Sequence, residues 1–318
     1  MSLDESQLEL AALDWFIQLG FDTAHGPDLS PEGITQERDS FGDILLRQRL
    51  QAVIARLNPT IPTEGLDEAF RKITRLDGPT LIARNRQFHN WLRDGVEVEF
   101  RRADGSIAGD RVQLIDFNTP ESNEFLAVNQ FAVREGNHKR VPDVVVFVNG
   151  LPLALIELKN PADEAATIDD AFNQLQTYKA EIPSLFDYNE LLVISDGGAA
   201  RIGSLTANME WFKPWPTIDD DRPVKGKLPL EVLIRGVFQK EHFLQLVRNF
   251  VVFEDDPDSD RVFKVLAGYH QFHAARKAID STIAATREGA DHRCGVVWHT
   301  HPTQQSDCFI DYWVRNRR

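Results

Sequence analysis

Asp143 follows Pro142 at the head of an apolar run, Val144-Val145-Val146-Phe147-Val148, and Glu157 and Lys159 close the next run, which begins at Leu151. Three charged side chains interrupt segments that otherwise read as wholly buried strands, so core packing does not account for them. Two carboxylates and a lysine at strand ends do suit metal-dependent cleavage of a phosphodiester. Asp143 and Glu157 are hard oxygen ligands for Mg²⁺, and the Leu158 carbonyl can add another oxygen. Lys159 can orient or help deprotonate the attacking water and offset charge developing on phosphate. The bland alternative is a surface strand end with an ordinary Glu-Lys pair.

The two runs flank Asn149-Gly150, a strong two-residue hairpin signal. Ideal pairing then sets Val148 opposite Leu151 and Asp143 opposite Ile156. Glu157 and Lys159 lie two apart and share one face, which leaves Asp143 on the other. One extra residue near Pro152, a β-bulge, returns all three to the same side. Such a bulge or a longer turn is therefore expected, and a regular hairpin would dismantle the site. Beyond it, Gln174 and Tyr178 stand four apart on a predicted helix over residues 168–180, with Phe172 and Leu175 as apolar anchors. A Gln and a Tyr on one face can hydrogen-bond a DNA backbone or a base. They can equally be a solvent residue and a half-buried aromatic.

The elements that must position these residues follow from periodicity. Helical spacing covers residues 5–19, ended by Gly20, then 41–57, stopped at Asn58-Pro59, then 66–73 and 80–92. A loop is expected over 26–33. Alternation predicts strands at 96–101, 111–117 and 125–133, and continuous apolar runs predict strands at 144–148, 151–158 and 191–194. Residues 214–229 read as an exposed connector, 229–250 as helical, 254–260 as an acidic turn and 262–286 as one long helix. Residues 295–298 look like the start of a buried strand. Helices first, then a meander, then strand–helix–strand indicate an α/β fold.

Composition sets the frame. The 318 residues suffice for two domains, with 42% apolar and 26% charged side chains. No run approaches the length of a membrane span, and the acidic first residues do not resemble a secretory signal. Cys294 and Cys308 lack metal-ligand partners at suitable spacing, so a reducing, cytoplasmic setting is expected. A net charge of −14 argues against a free-standing, high-affinity nucleic-acid binder. A subunit of a larger assembly can leave DNA grip to its partners, however, and local basic clusters occur at residues 134–140 and 315–318.

Taken together, Val141-Pro142-Asp143, Ile156-Glu157-Leu158-Lys159-Asn160-Pro161 and Gln174-x-x-x-Tyr178 resemble the R (restriction) subunit of type I restriction-modification enzymes. Asn129-Gln130-Phe131, Ser195-Asp196-Gly197 and Leu246-Val247-Arg248-Asn249-Phe250 are also similar to that family, and the likeness runs from about residue 5 to His299. It implies a restriction-endonuclease-like PD-(D/E)xK mixed sheet flanked by helices over residues 1–250. The start of a first RecA-like motor domain is implied over 251–318. By the same resemblance Asp143, Glu157 and Lys159 carry cleavage of double-stranded DNA, with Gln174 and Tyr178 assisting. Related nucleases place a helix glutamate near the metal, for which Glu9 is the first candidate and Glu5 the second. The family usually has Arg before Pro-Asp, whereas this chain has Val141 there and Arg140 one position earlier.

In the intact family enzyme a motor powered by ATP reels DNA, while methyltransferase and specificity subunits supply modification and sequence recognition. Residues 269–275 are similar to the stretch ahead of the first motor motif, where a glutamine, here Gln271, reads adenine. The phosphate loop expected after Thr300 needs glycines and a lysine. Residues 301–307 read His-Pro-Thr-Gln-Gln-Ser-Asp instead. The expectation is an R subunit truncated at that loop, with Gln271 a vestige and no ATPase activity. Two other readings stay open: a non-catalytic fragment that docks on the methyltransferase–specificity core, and a stand-alone structure-specific nuclease.

Overall fold

The computed structural model of the protein describes residues 4–102, 104–160, 167–287 and 289. The chain opens with α1 (Glu5–Gln18), β1 (Asp22–His25), a single turn α2 (Gly26–Leu29), and helices α3 (Arg47–Leu57), α4 (Thr63–Thr74) and α5 (Leu81–Asp94). A hairpin of β2 (Val96–Arg101) and β3 (Ile107–Val112) comes next, then β4 (Phe125–Asn129) and a small hairpin of β5 (Val133–Glu135) and β6 (His138–Arg140). The centre follows as β7 (Val144–Val148), β8 (Leu151–Leu158), α6 (Ile168–Glu181), α7 (Pro183–Phe186), β9 (Leu191–Ser195) and β10 (Ala200–Gly203). Helices α8 (Pro229–Val237) and α9 (Lys240–Asn249), a hairpin of β11 (Val251–Asp255) and β12 (Val262–Leu266), and α10 (Tyr269–Ala285) complete it.

A six-stranded sheet runs in the order β1-β4-β7-β8-β9-β10. β1 is parallel to β4 and β8 to β9, and the remaining pairs are antiparallel. Every residue of β7, β8 and β9 is buried, as their unbroken apolar sequences require of strands covered on both faces. Helices α1 and α6 both pack against β8. The mixed α/β sheet flanked by helices matches the expected class. Among the described residues no helix is long and apolar enough to cross a membrane.

The hairpin that carries the acidic residues has the expected turn. Asn149 and Gly150 take φ of 54° and 78°, the left-handed pair that a two-residue turn needs. The Asn149 side chain holds that turn in place. Its Oδ1 accepts from Glu124 N at 2.8 Å, and its Nδ2 donates to Leu114 O at 2.8 Å and Asn123 Oδ1 at 2.9 Å. The pairing is Val148↔Leu151 and Phe147↔Pro152, then shifts to Val146↔Ala154 and Val144↔Ile156. Leu153 is the extra residue, next to Pro152, where the bulge was expected.

Several expectations are corrected by tertiary contacts. Helix α3 begins at Arg47 rather than near residue 41, because the buried Arg38 guanidinium holds the carbonyls of Phe41 and Asp43 in a turn, at 2.9 and 2.7 Å. The loop over 26–33 opens with the one-turn α2. The expected strand 111–117 is displaced to 107–112, since Asn58 takes both backbone groups of Gln113 at 2.8 and 2.9 Å. The strand from 125 stops at Asn129, where Gln130 turns to a φ of 54°. Residues 229–250 are helical as expected, divided into two helices. Residues 262–266 form β12, not the start of a long helix, and fully buried Lys264 pins that strand to Glu190 Oε2 at 2.8 Å. The predicted strand at 295–298 and both cysteines lie outside the described residues.

Gly150→Ala tests how strictly the turn is specified. An added Cβ would lie 2.5 Å from the Leu46 carbonyl oxygen, at a backbone conformation that L-residues resist. A loss of roughly 1–3 kcal/mol is expected in urea unfolding. An unchanged unfolding midpoint would contradict this account of the turn.

Candidate active site

The bulge decides the geometry. One register step beyond Val144↔Ile156, Asp143 lies across from Glu157, and residues directly opposite share a face. Asp143 Oδ2 accepts from Leu158 N at 2.7 Å, which locks the two strand ends together. Gln130 N donates to Asp143 O at 3.0 Å from the β4 side. Lys159, two residues past Glu157, returns to the same side and places Nζ 3.2 Å from Glu157 Oε1. Its own backbone N–H continues the parallel pairing by donating to Ser195 O at 2.8 Å.

Helix α6 brings the second pair. Its buried stripe of Ile168, Ala171, Leu175 and Tyr178 seats it on the sheet. Asp170 Oδ2 accepts from Thr167 N at 2.8 Å, and Ile168 N donates to Asp196 Oδ2 at 3.2 Å, which fixes the start of the helix beside the end of β9. Gln174 Oε1 then accepts from Lys159 Nζ at 2.5 Å, and Gln174 Nε2 donates to Tyr178 OH at 2.5 Å. Tyr178 OH lies 3.4 Å from Val141 O and 3.5 Å from Glu157 Oε1. Glu157, Lys159, Gln174 and Tyr178 thus form one hydrogen-bonded cluster, and Asp143 is tied to it through the Leu158 N–H.

Its charges are out of balance. Burial pushes the Asp143 carboxyl up to about 7, with Glu5 and Glu9 adding to the rise and the Leu158 N–H and Lys159 opposing it. Burial also pushes Glu157 well up, and the nearby Asp143 charge pushes it further. The Tyr178 hydroxyl is raised by burial and by Glu157. Glu157 is fully buried, and its Oε2 has no hydrogen-bond partner. A buried carboxylate oxygen left unpartnered beside a second carboxylate is a donor set that a divalent cation would complete. Among the described residues no three His, Cys, Asp or Glu side chains converge on one point. Asp143 and Glu157 could supply two oxygen ligands, and a Mg²⁺ ion held by them would take its other ligands from water or substrate.

Of the remaining expected residues, Glu9 comes to this end of the sheet on α1 and is buried, but both its oxygens are engaged. Oε1 accepts from Asn129 Nδ2 at 2.6 Å and Oε2 from Gln130 Nε2 at 2.5 Å. It therefore braces the Asn129-Gln130 corner that in turn holds the Asp143 carbonyl. Sequence reasoning found Asn129 and Gln130 but not this bracing role. The signal for it is the left-handed φ at Gln130, which only coordinates reveal. Leu158 enters the site through its N–H, a contact that follows from Asp143 and Glu157 being in register. Gln271 Oε1 accepts from Gly268 N at 2.9 Å and caps α10, far along the chain from the cluster.

A mixed α/β sheet with two buried carboxylates and a lysine at one strand end defines the class of site. The chain belongs to the family described as the type I restriction enzyme R protein N terminus, which it matches over residues 2–211. It is 39% identical over 315 residues to the type I restriction enzyme HindI endonuclease subunit of Haemophilus influenzae, covering 98% of this chain and 30% of that protein. It is 34% identical over 328 residues to a Methanocaldococcus jannaschii chain provisionally named the MjaIXP endonuclease subunit, covering 96% of this chain and 30% of that one. With the EcoprrI endonuclease subunit of Escherichia coli it shares 30% identity over 223 residues, 65% of this chain and 64% of that protein. The chain therefore spans less than a third of the length of the first two relatives.

The raised Asp143 carboxyl has a consequence for stability. In chelator, between its ordinary 3.8 and about 7, the folded chain keeps a proton that the unfolded chain has lost. Stability therefore falls as pH rises through that window. Asp143→Asn keeps an acceptor for Leu158 N and removes the buried charge. The variant is expected to exceed wild type at pH 8 by on the order of a few kcal/mol, with the gap closing toward pH 4. Parallel stability–pH curves in denaturant melts would contradict this.

Proposed function

We propose that this chain holds the Mg²⁺-dependent, DNA-cleaving site of a type I restriction enzyme R subunit, on a restriction-endonuclease-like PD-(D/E)xK fold. The observation that carries the reading is the single-residue bulge at Leu153, which sets Asp143 level with Glu157 on the side that Lys159 occupies. Asp143 and Glu157 would hold the metal, with the Leu158 carbonyl as a further oxygen. Bound Mg²⁺ would supply Lewis-acid stabilisation of charge on the phosphoryl oxygens. Lys159 positions the attacking water and offsets negative charge. Gln174 fixes the Lys159 ammonium, and Tyr178 holds Gln174 while excluding water from the Glu157 side.

The substrate in this reading is double-stranded DNA, in the cytoplasm, within a complex containing methyltransferase and specificity subunits. Residues 1–250 form the nuclease domain and 251–318 the opening of a RecA-like motor domain. Residues 301–307 contain neither glycine nor lysine, so the chain is expected to hydrolyse no ATP. The net charge of −14 favours a second reading, in which the chain only docks on the other subunits.

Incubation with supercoiled plasmid and Mg²⁺, without ATP, separates the two. Wild type is expected to nick, and Lys159→Ala to lower the rate by roughly 100-fold or more. Plasmid left intact by wild type would support the docking reading. Equal nicking by both chains would remove Lys159 from the site.

A further inference from the structure

We propose that Arg134 and Lys139, on the β5–β6 hairpin, are a phosphate-gripping pair that seats the backbone of duplex DNA beside the Asp143–Glu157–Lys159 cluster. This rests on the nuclease reading above and adds the surface that presents the substrate. The hairpin pairs Val133 with Arg140, Arg134 with Lys139 and Glu135 with His138. Alternation puts Val133, Glu135, His138 and Arg140 on one face, and Arg134 and Lys139 on the other.

The first face is committed to the fold. Val133 is buried, and Glu135 Oε2 accepts from Ser184 N and Oγ at 3.0 and 2.6 Å. Arg140 pairs with Glu181, and His138 Nδ1 lies 3.4 Å from the same carboxylate. The second face carries two exposed cations directly opposite one another, with no carboxylate partner among the described residues. Like charges so placed destabilise a strand pair, and the Phe41 ring beside both is their one aromatic neighbour among the described residues.

Both cations are set on a firm base. Lys139 Nζ is 4.9 Å and the Arg134 guanidinium 5.9 Å from the Phe41 ring centroid. The Phe41 loop is tied down by Arg38, whose guanidinium donates to the carbonyls of Asp43, Ala132 and Phe41 at 2.7, 2.8 and 2.9 Å. Arg134 N itself donates to Phe41 O at 2.9 Å. Cations pre-positioned in this way lose little side-chain freedom when they meet a ligand.

Position gives them their use. The hairpin runs from Arg140 directly into Val141-Pro142-Asp143, and Tyr178 OH reaches the Val141 carbonyl at 3.4 Å. Lys139 is four residues from Asp143, within roughly 14 Å of chain. In this proposal a duplex bound over the cluster would extend across the hairpin, whose Arg134–Lys139 face is the one not packed against Glu181 and Ser184. On a chain of net charge −14 such contacts must be local, because the overall field repels DNA. A guanidinium and an ammonium recognise phosphate without reading bases, so the grip is independent of sequence.

The test is binding of a short labelled duplex by the 318-residue chain carrying Lys159→Ala, so that the DNA stays whole, across a salt series. Adding Arg134→Ala with Lys139→Ala is expected to reduce the slope of log K against log salt by about 1.8, at ~0.9 per lost phosphate contact. Affinity should fall most at low salt. Arg134→Lys with Lys139→Arg keeps both charges and should bind within about twofold of the parent. An unchanged slope in the double-alanine chain overturns this inference, while nicking by the chain with Lys159 intact keeps the nuclease reading. Absence of duplex binding by the parent overturns the grip, and intact plasmid in the nicking assay then overturns the nuclease reading as well.

Discussion

Side chains on a β-strand alternate between faces, so only an odd insertion can change which residues of two paired strands share a face. In this chain Leu153 is that insertion, and it separates a register fixed by the Asn149-Gly150 turn from a register fixed by Asp143 and Glu157. Pro152 sits beside it, where a missing N–H makes a break in the ladder least costly. With Leu153 in place, two carboxylates and a lysine face one another at the end of β7 and β8. Without it, Asp143 would turn away. The Asn149 side-chain contacts, the Leu158 N–H bond to Asp143 and the Gln130 bond to the Asp143 carbonyl all hold that register.

Among the described residues, two buried charged clusters contrast with each other. Glu190 is fully buried and its Oε1, like Glu157 Oε2, has no hydrogen-bond partner, but two donors, Lys264 at 2.8 Å and His89 at 2.9 Å, converge on its Oε2. Burial raises its pKa, yet the two neighbours more than offset this, and its carboxyl stays below the ordinary value. That cluster is internally balanced and joins β12 to the body of the protein. At Asp143 and Glu157 the balance goes the other way: two carboxylates face one lysine, and both are pushed up. Such an imbalance supports the proposal that a bound cation supplies the missing positive charge.

Much of this was legible in the residues. The turn, the need for a bulge near Pro152, the Glu157–Lys159 pair and the i,i+4 relation of Gln174 to Tyr178 all follow from local rules. What local rules could not show were contacts between distant segments. Val262-Phe263-Lys264-Val265-Leu266 fits helical spacing, and it becomes a strand because Lys264 finds Glu190 and the chain doubles back at the acidic turn. Residues 41–46 look helical until Arg38 claims their carbonyls. Glu9 was expected at the metal, and its place among Asn129 and Gln130 depends on a backbone turn with no sequence signature. The short strands β1 and β10, four residues each, carry too little pattern to be seen.

The central claim is that the bulged hairpin assembles a divalent-cation site from Asp143 and Glu157. Calorimetric titration of the purified chain with Mg²⁺ near pH 6.5, in two buffers of different ionisation enthalpy, tests it directly. Binding with net proton release is expected, because a carboxyl pushed up to about 7 must give up its proton to hold the metal. Glu157→Gln should then weaken binding by about tenfold or more. Heat that is absent, or that is the same in wild type and Glu157→Gln, would contradict it.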